Sequence, residues 1–313
     1  MRTAFVFPGQ GSQTVGMGAA LAAASRTARD VLAEVDEALG QKLSALMAEG
    51  PAETLTLTEN AQPAIMAASL AVVRALEVEF GLALETVGHS VAGHSLGEYS
   101  ALCAAGGFDL ATAARLLKLR GQAMQAAVPV GEGAMAALLG LDMEAVKAVA
   151  AEASALGVCA PANDNAPGQV VISGRKAAIE HAIELAKARG GKRALLLPVS
   201  APFHCALMQP AADRMAEALA AHAPAAPRLP LVCNVTAAPT QDPEAIRALL
   251  VEQVTGMVRW RESVETLAQL GVTRIIECGA GKVLTGLVKR IAPDIETVNL
   301  ESIADLEAFA KTC

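Results

Sequence analysis

Two kinds of hydrophobic pattern alternate along the chain. Short apolar runs at residues 3–7, 85–91, 231–235 and 274–278 read as strands. Long Ala- and Leu-rich segments lie between them, and those at 243–254, 260–270 and 282–291 read as helices. Short apolar strands alternating with helices predict a parallel sheet covered by helices. From residue 133 the order changes to strand 134–139, helix 143–156, strand 157–160, strand 169–173, amphipathic helix 175–189 and strand 193–199. That order is βαββαβ, the split ferredoxin-like unit, inserted between two halves of the larger pattern. The expected class is therefore α/β, with a small antiparallel subdomain set into a larger parallel one and a cleft between them where a ligand binds.

Composition narrows this further. Hydrophobic residues make up 53% of the 313 residues, charged residues 18% and aromatics only 3%, so the chain folds compactly around small aliphatic side chains. A net charge of -7 argues against a broad polyanion-binding surface, and nucleic acid is not an expected partner. The opening residues 1–8 carry one arginine and a short apolar run stopped by Pro8, too short for a secretory core. The longest uncharged stretch, 194–212, holds Pro198, Pro202 and Pro210, so no membrane span is expected. Six cysteines without a Cys-x-x-Cys pair suggest neither zinc nor thiol redox chemistry, and fit reduced thiols in a cytoplasm.

The strongest chemical signal is Gly93-His94-Ser95-Leu96-Gly97. This G-x-S-x-G elbow follows a strand and opens a helix, and it makes the large domain α/β-hydrolase-like. Flanking glycines permit the sharp turn that exposes Ser95, while the new helix offers unpaired N–H groups to an oxyanion. A near-copy at Gly88-His89-Ser90-Val91-Ala92 lacks the second glycine. A serine nucleophile needs a base, and histidine has the matching pKa. Of five histidines, His89 and His94 sit too close to Ser95 along the backbone, His181 lies on the inserted helix and His222 in an Ala/Pro-rich stretch. His204 remains, in the turn from Ser200 to Cys205 where the chain re-enters the large domain. Asp109, Asp142 and Asp164 fall in segments with no special turn, so a third, acidic member is not evident.

Two other glycine-rich loops fail as nucleotide motifs. Residues 8–13 depart from G-x-G-x-x-G because Thr14 takes the last position, and Gly279-Ala280-Gly281-Lys282-Val283 lacks P-loop spacing. The first loop can still donate N–H groups to an oxyanion beside Ser95.

Taken together, these residues resemble the malonyl-CoA:acyl-carrier-protein transacylases and the related acyltransferase domains of fatty acid and polyketide synthesis. The resemblance spans nearly the whole chain. It rests on residues 7–13, Asn60-Ala61-Gln62-Pro63-Ala64, Gly93 to Tyr99, Arg120-Gly121 with Met124-Gln125, residues 168–174 including Gln169, residues 202–208 and Gly279-Ala280-Gly281. It implies that Ser95 is acylated and His204 is its base, with Gln10 and Leu96 supplying oxyanion-hole N–H groups. The carbonyl of Gln253 would orient the histidine in place of an acid. Arg120 would grip the free carboxylate of malonate, a task suited to a planar fork of donors. Gln10, Gln62, Met124, Asn163, Gln169 and Phe203 complete the implied substrate site. A bulky Phe203 accompanies malonyl rather than methylmalonyl preference in such enzymes.

The resemblance further implies a subdomain at 126–198 within a catalytic domain of residues 1–125 and 199–313. The implied reaction passes malonyl from malonyl-CoA to an acyl carrier protein through a malonyl-serine ester. The chain would act as a monomer, without metal or redox cofactor. Lys187, Arg189, Lys192, Arg193, Lys289 and Arg290 are candidates for a local basic patch that meets an acidic carrier protein. Two other readings remain: a serine thioesterase or esterase using the same Ser95 and His204, and an inactive carrier-protein docking subunit.

Overall fold

The structure, a computed structural model, describes residues 2–199 and 201–313; Met1 and Ser200, the latter the first residue of the turn expected from sequence before His204, lie outside them. Ten strands occur among the described residues: β1 (Thr3–Phe7), β2 (Ser90–Gly93), β3 (Gly133–Leu139), β4 (Cys159–Ala166), β5 (Gln169–Arg175), β6 (Arg193–Leu196), β7 (Leu231–Val232), β8 (Pro239–Thr240), β9 (Arg274–Cys278) and β10 (Glu296–Leu300). They form two sheets. The larger has the order β10-β9-β1-β2-β7-β8, parallel except where β8 turns back on β7. The smaller has the order β4-β5-β3-β6 and is antiparallel throughout. The chain leaves the first sheet after β2, builds the second, and returns to the first at β7.

Every residue of β1 and of β9 is buried, as central strands of a helix-covered parallel sheet require. The one carboxylate in them, Glu277, accepts from the N–H groups of Leu284 and Thr285 at the start of helix Val283–Ile291. A buried carboxylate is thus satisfied by a helix N-terminus. On the other face, helix Thr58–Phe80 is buried along most of its length behind Ala61, Ala64, Ala67, Ala68, Ala71 and Ala75. Such small side chains let helices approach closely. At Gly121, on helix Leu110–Ala126, a Cβ would stand 2.5 Å from the Glu59 Cα, so only glycine permits this helix to lie so near the first. That contact carries Arg120 and Gln62 to the same place.

The predicted strand at 85–91 is instead a helical turn, Leu84–Val87, followed by β2 from Ser90. Gly88 N–H closes that turn on the Leu84 carbonyl, and His89 N–H bonds the carbonyl of Thr3 at the start of β1. The strand expected at 231–235 stops at Val232, because Cys233 and Asn234 turn beneath the site. In the insert β4 runs on to Ala166, with irregular register after Pro161 and after Asp164, and β6 ends at Leu196 rather than 199. Edge strand β10 and helix Ile303–Ala310 were outside the sequence expectation. No helix among the described residues is long and apolar enough to cross a membrane.

Candidate active site

The loops after parallel neighbours β1 and β2 meet at the C-terminal edge of the larger sheet, the usual site of binding in open α/β sheets. After β2 the chain turns sharply at Ser95, which holds φ at 54°, and enters helix Gly97–Ala104. The flanking glycines are sterically required. A Cβ on Gly93 would stand 1.9 Å from the Gly97 carbonyl, and one on Gly97 would stand 2.2 Å from the Phe7 oxygen. Asn234 pins the turn from below: its Oδ1 accepts from Ser95 N–H at 2.8 Å and its Nδ2 donates to Gly93 O at 2.7 Å.

His204 Nε2 lies 2.8 Å from Ser95 Oγ. Its Nδ1 faces two carbonyl oxygens, Gln253 at 2.9 Å and Gly256 at 3.1 Å. Carbonyls only accept, so Nδ1 carries the proton and Nε2 is free to accept from the serine. His204 is buried, and burial first, then the charge of Arg120, depresses its pKa to about 3. The imidazole is therefore neutral at physiological pH, the state a base needs. The acids weighed from sequence are engaged elsewhere. Asp109 and Asp142 cap helices Leu110–Ala126 and Met143–Ala153, and Asp164 pairs with Arg261. Gly256 had no signal in the sequence, because a main-chain acceptor can come from any residue type.

Arg120 is 1% exposed. Its Nη1 donates to Gln62 Oε1 at 2.7 Å, and its Nη2 to Gln253 Oε1 at 2.8 Å and Ser95 Oγ at 3.2 Å. Nε has no partner, and the guanidinium carbon stands 5.7 Å from the Tyr99 ring centroid. Among the described residues no carboxylate lies within ion-pairing distance of it. Lys118, on the same helix, turns away to Glu59, Gln41 and Asn60. Gln62 also donates to Thr58 Oγ1, which donates to Gln10 Oε1, so one polar chain runs from the first loop to Arg120.

A cavity of about 320 Å³ opens over these groups, lined by Gln10, Gln62, Ser95, Leu96, Arg120, Met124, Asn163, Phe203 and His204. The smaller sheet and the chain after it add Met135, Leu197, Pro198 and Val199. His94 Nε2 meets Asn165 Oδ1 at 2.8 Å, tying the elbow to β4. Among the described residues no acceptor takes the N–H of Gln10 or Leu96, and both residues border the cavity beside Ser95. The arrangement holds a serine, a neutral imidazole, free N–H groups and a buried cation together, which suits acyl transfer.

Gln169 is the exception among the expected site residues. It opens β5 opposite Leu139 and Ala166, and its Oε1 accepts from Arg290 Nη1 at 2.5 Å, so it braces β5 against helix Val283–Ile291 and does not line the cavity. Three residues that sequence reasoning passed over matter here: Asn234, Glu98 and Tyr99. Glu98 and Tyr99 were visible as the polar end of the elbow motif, and Asn234 as a polar residue interrupting an apolar run. Of the basic candidates, Lys187 and Arg189 pair with Glu184 and Glu152, and Arg290 is spent on Gln169 and the Pro167 carbonyl. Lys192, Arg193 and Lys289 have no carboxylate partner among the described residues.

Residues 4–304 match the acyl transferase domain family. The chain is 49% identical over 307 residues to the malonyl CoA-acyl carrier protein transacylase of Escherichia coli strain K12, covering 98% of this chain and 97% of that one. An acyl-carrier-protein S-malonyltransferase from Bartonella henselae is 55% identical, superposes with a TM-score of 0.98, and covers 100% of this chain and 99% of its own. A malonyl-transacylase solved in complex with its type II polyketide synthase acyl-carrier protein is 45% identical, with a TM-score of 0.96 and full coverage of both chains. By this likeness over nearly its whole length, the chain belongs to the acyl transferase family, among the malonyl CoA-acyl carrier protein transacylases, and is an acyltransferase.

Proposed function

We propose that the protein transfers malonyl from malonyl-CoA to the phosphopantetheine thiol of an acyl carrier protein, by a ping-pong route through a malonyl ester of Ser95, in support of fatty acid synthesis. The observation that carries this reading is Arg120: a buried cation, unpaired by any carboxylate among the described residues, whose Nη2 reaches the nucleophile itself. Such a charge is tolerable when a substrate carboxylate completes it. His204 Nε2 takes the Ser95 proton as Oγ attacks the thioester carbonyl, and the N–H groups of Gln10 and Leu96 receive the oxyanion. Coenzyme A leaves as the thiol with the proton from His204. The carrier thiol then gives its proton to His204 and attacks the ester, and Ser95 recovers a proton on leaving. Gln253 and Gly256 hold the imidazole in the required tautomer through both halves. Met124, Gln62, Asn163 and Phe203 shape the acyl pocket.

The large sheet with its serine elbow supports an α/β-hydrolase-like catalytic domain of residues 1–125 and 199–313. The order β4-β5-β3-β6, with helices Met143–Ala153 and Lys176–Ala188, supports a ferredoxin-like subdomain at 126–198. Carrier-protein attraction is assigned to Lys192, Arg193 and Lys289, the members of the basic group whose side chains, among the described residues, are spent neither on a carboxylate nor, as Arg290 is, on Gln169 and Pro167. Five buried cysteines and an exposed Cys313, all free, suit a reducing compartment such as the cytoplasm.

Intact-mass measurement with malonyl-CoA alone tests the reading. A stable malonyl adduct, discharged by holo carrier protein, is expected; steady release of free malonate would make the chain a hydrolase instead. The pH dependence is also set. Protonation of His204 abolishes the base, and its pKa lies far below the ordinary value of about 6.5. Acylation kcat/KM should therefore hold from pH 7 down past pH 6 and fall only at lower pH. An acid limb centred at 6.5 or above, in rapid-quench rates at constant ionic strength, would contradict the assignment.

A further inference from the structure

Beneath the nucleophile a buried carboxylate takes no part in the steps above. Glu98, on the first turn of helix Gly97–Ala104, is 1% exposed. Its Oε2 accepts from Gln253 Nε2 at 2.6 Å and, more distantly, from Asn234 N–H at 3.4 Å. The Cys233 thiol lies beside the same carboxyl group. Gln253 Nε2 also donates to Ser95 O at 2.9 Å, while Gln253 Oε1 accepts from Arg120 Nη2 at 2.8 Å. We propose that Glu98 is a positioning residue for acyl selectivity: by claiming the amide nitrogen of Gln253, it turns the amide oxygen onto Arg120 and so fixes the guanidinium that meets the substrate carboxylate. The inference rests on Arg120 being that clamp.

The geometry admits one orientation of the Gln253 amide. Reversed, it would set an NH2 against the guanidinium and a carbonyl against the carboxyl oxygen, leaving donor facing donor and acceptor facing acceptor. The two N–H donors to Glu98, from Gln253 and Asn234, converge on Oε2. A proton on the other oxygen therefore leaves these two bonds unchanged, which matters because burial pushes the Glu98 pKa up to about 7. Glu98 acts by where its acceptor stands, more than by its charge. Asn234, reached by the same oxygen, holds the Ser95 N–H, so nucleophile and clamp are registered against one atom.

Position and charge are separable by two substitutions. Glu98→Gln keeps a carbonyl oxygen at the Oε2 place and loses the charge; Glu98→Asp keeps the charge and withdraws the acceptor by about 1.5 Å, one carbon–carbon bond. The measurement is kcat/KM for malonyl-CoA and for acetyl-CoA with the same carrier protein, in each variant and in Arg120→Ala. Glu98→Asp should lower the malonyl-to-acetyl ratio about tenfold or more, as expected for a misplaced binding group. Glu98→Gln should keep it within about threefold of the parent. Adding Glu98→Asp to Arg120→Ala should lower the ratio no further, because the two act as one unit. Equal loss with both acyl donors in Glu98→Asp would make Glu98 merely structural and overturn the proposal. So would the reverse order, with Asp tolerated and Gln not. If Arg120→Ala leaves the ratio unchanged, the clamp itself is misassigned and the inference falls with it; a lowered ratio there with an unchanged one in Glu98→Asp sinks the Glu98 role alone.

Discussion

Ser95→Ala should form no covalent adduct with malonyl-CoA, and His204→Ala should form it more slowly by something on the order of 10²-fold or more. The two effects differ in kind because the first removes the atom that becomes the ester, and the second only the group that takes its proton. Ser95 has no substitute. Ser90 is fully buried within β2, where it pairs with Ala4 of β1, and its hydroxyl faces neither a base nor the cavity. Arg120 Nη2 and His204 Nε2 both converge on Ser95 Oγ, at 3.2 and 2.8 Å. Folding should survive the alanine change, since position 95 keeps its glycine flanks and its main-chain bond to Asn234. Without His204, the Gln10 and Leu96 N–H groups still favour the tetrahedral intermediate, so slow acylation should persist. Intact-mass kinetics read both outcomes. An adduct in Ser95→Ala would move the nucleophile elsewhere, and wild-type acylation in His204→Ala would remove it from catalysis.

How far the chain could be read in advance depended on the range of the interactions involved. β1 and β9 match their predicted bounds because every residue in them is buried and each is built on consecutive apolar residues, Ala4 to Phe7 and Ile275-Ile276, a signal contained in five residues. The helices of the insert were clear from their periodicity, and the elbow from glycines whose Cβ positions are already occupied. Short or half-exposed elements were less legible. β7 keeps only two residues of the run read as a strand, and β10, mostly half-exposed at the sheet edge, carries no strong pattern. The stretch before β2 looked like a strand because its apolar residues fit either period, and Gly88 settles it only through a bond to Leu84. At the site, Ser95 and His204 were found by chemical type. The support for His204 was not, because main-chain oxygens of Gln253 and Gly256 leave no trace in side-chain chemistry. Gln169 shows the opposite error: a motif position whose side chain the fold spends on Arg290.

Removing Arg120 should change which acyl group the enzyme prefers. Malonyl differs from acetyl by one carboxylate, and desolvating that charge in the cavity requires a fixed cation to meet it. Arg120 is held ready by Gln62 and Gln253, with its fork beside Ser95 Oγ. Truncation to alanine breaks a charge-assisted contact, and losing one partner of such a buried pair costs roughly 2 to 5 kcal/mol. Acetyl transfer responds differently. Arg120 is the second cause of the depressed His204 pKa, after burial. In the free enzyme, and with acetyl bound, that charge works against the base; with malonyl bound, the substrate carboxylate offsets it. Arg120→Ala therefore relieves His204 for acetyl while depriving malonyl of its partner. The malonyl-to-acetyl ratio of kcat/KM should drop by at least about tenfold, or 1.4 kcal/mol. Arg120→Lys should recover only part of this, because an ammonium restores charge without the planar fork that spans Gln62 and Gln253. Steady-state rates for both donors with one carrier protein decide the matter. A ratio unchanged from wild type in Arg120→Ala would leave Arg120 as a buried structural cation and place carboxylate recognition elsewhere in the cavity.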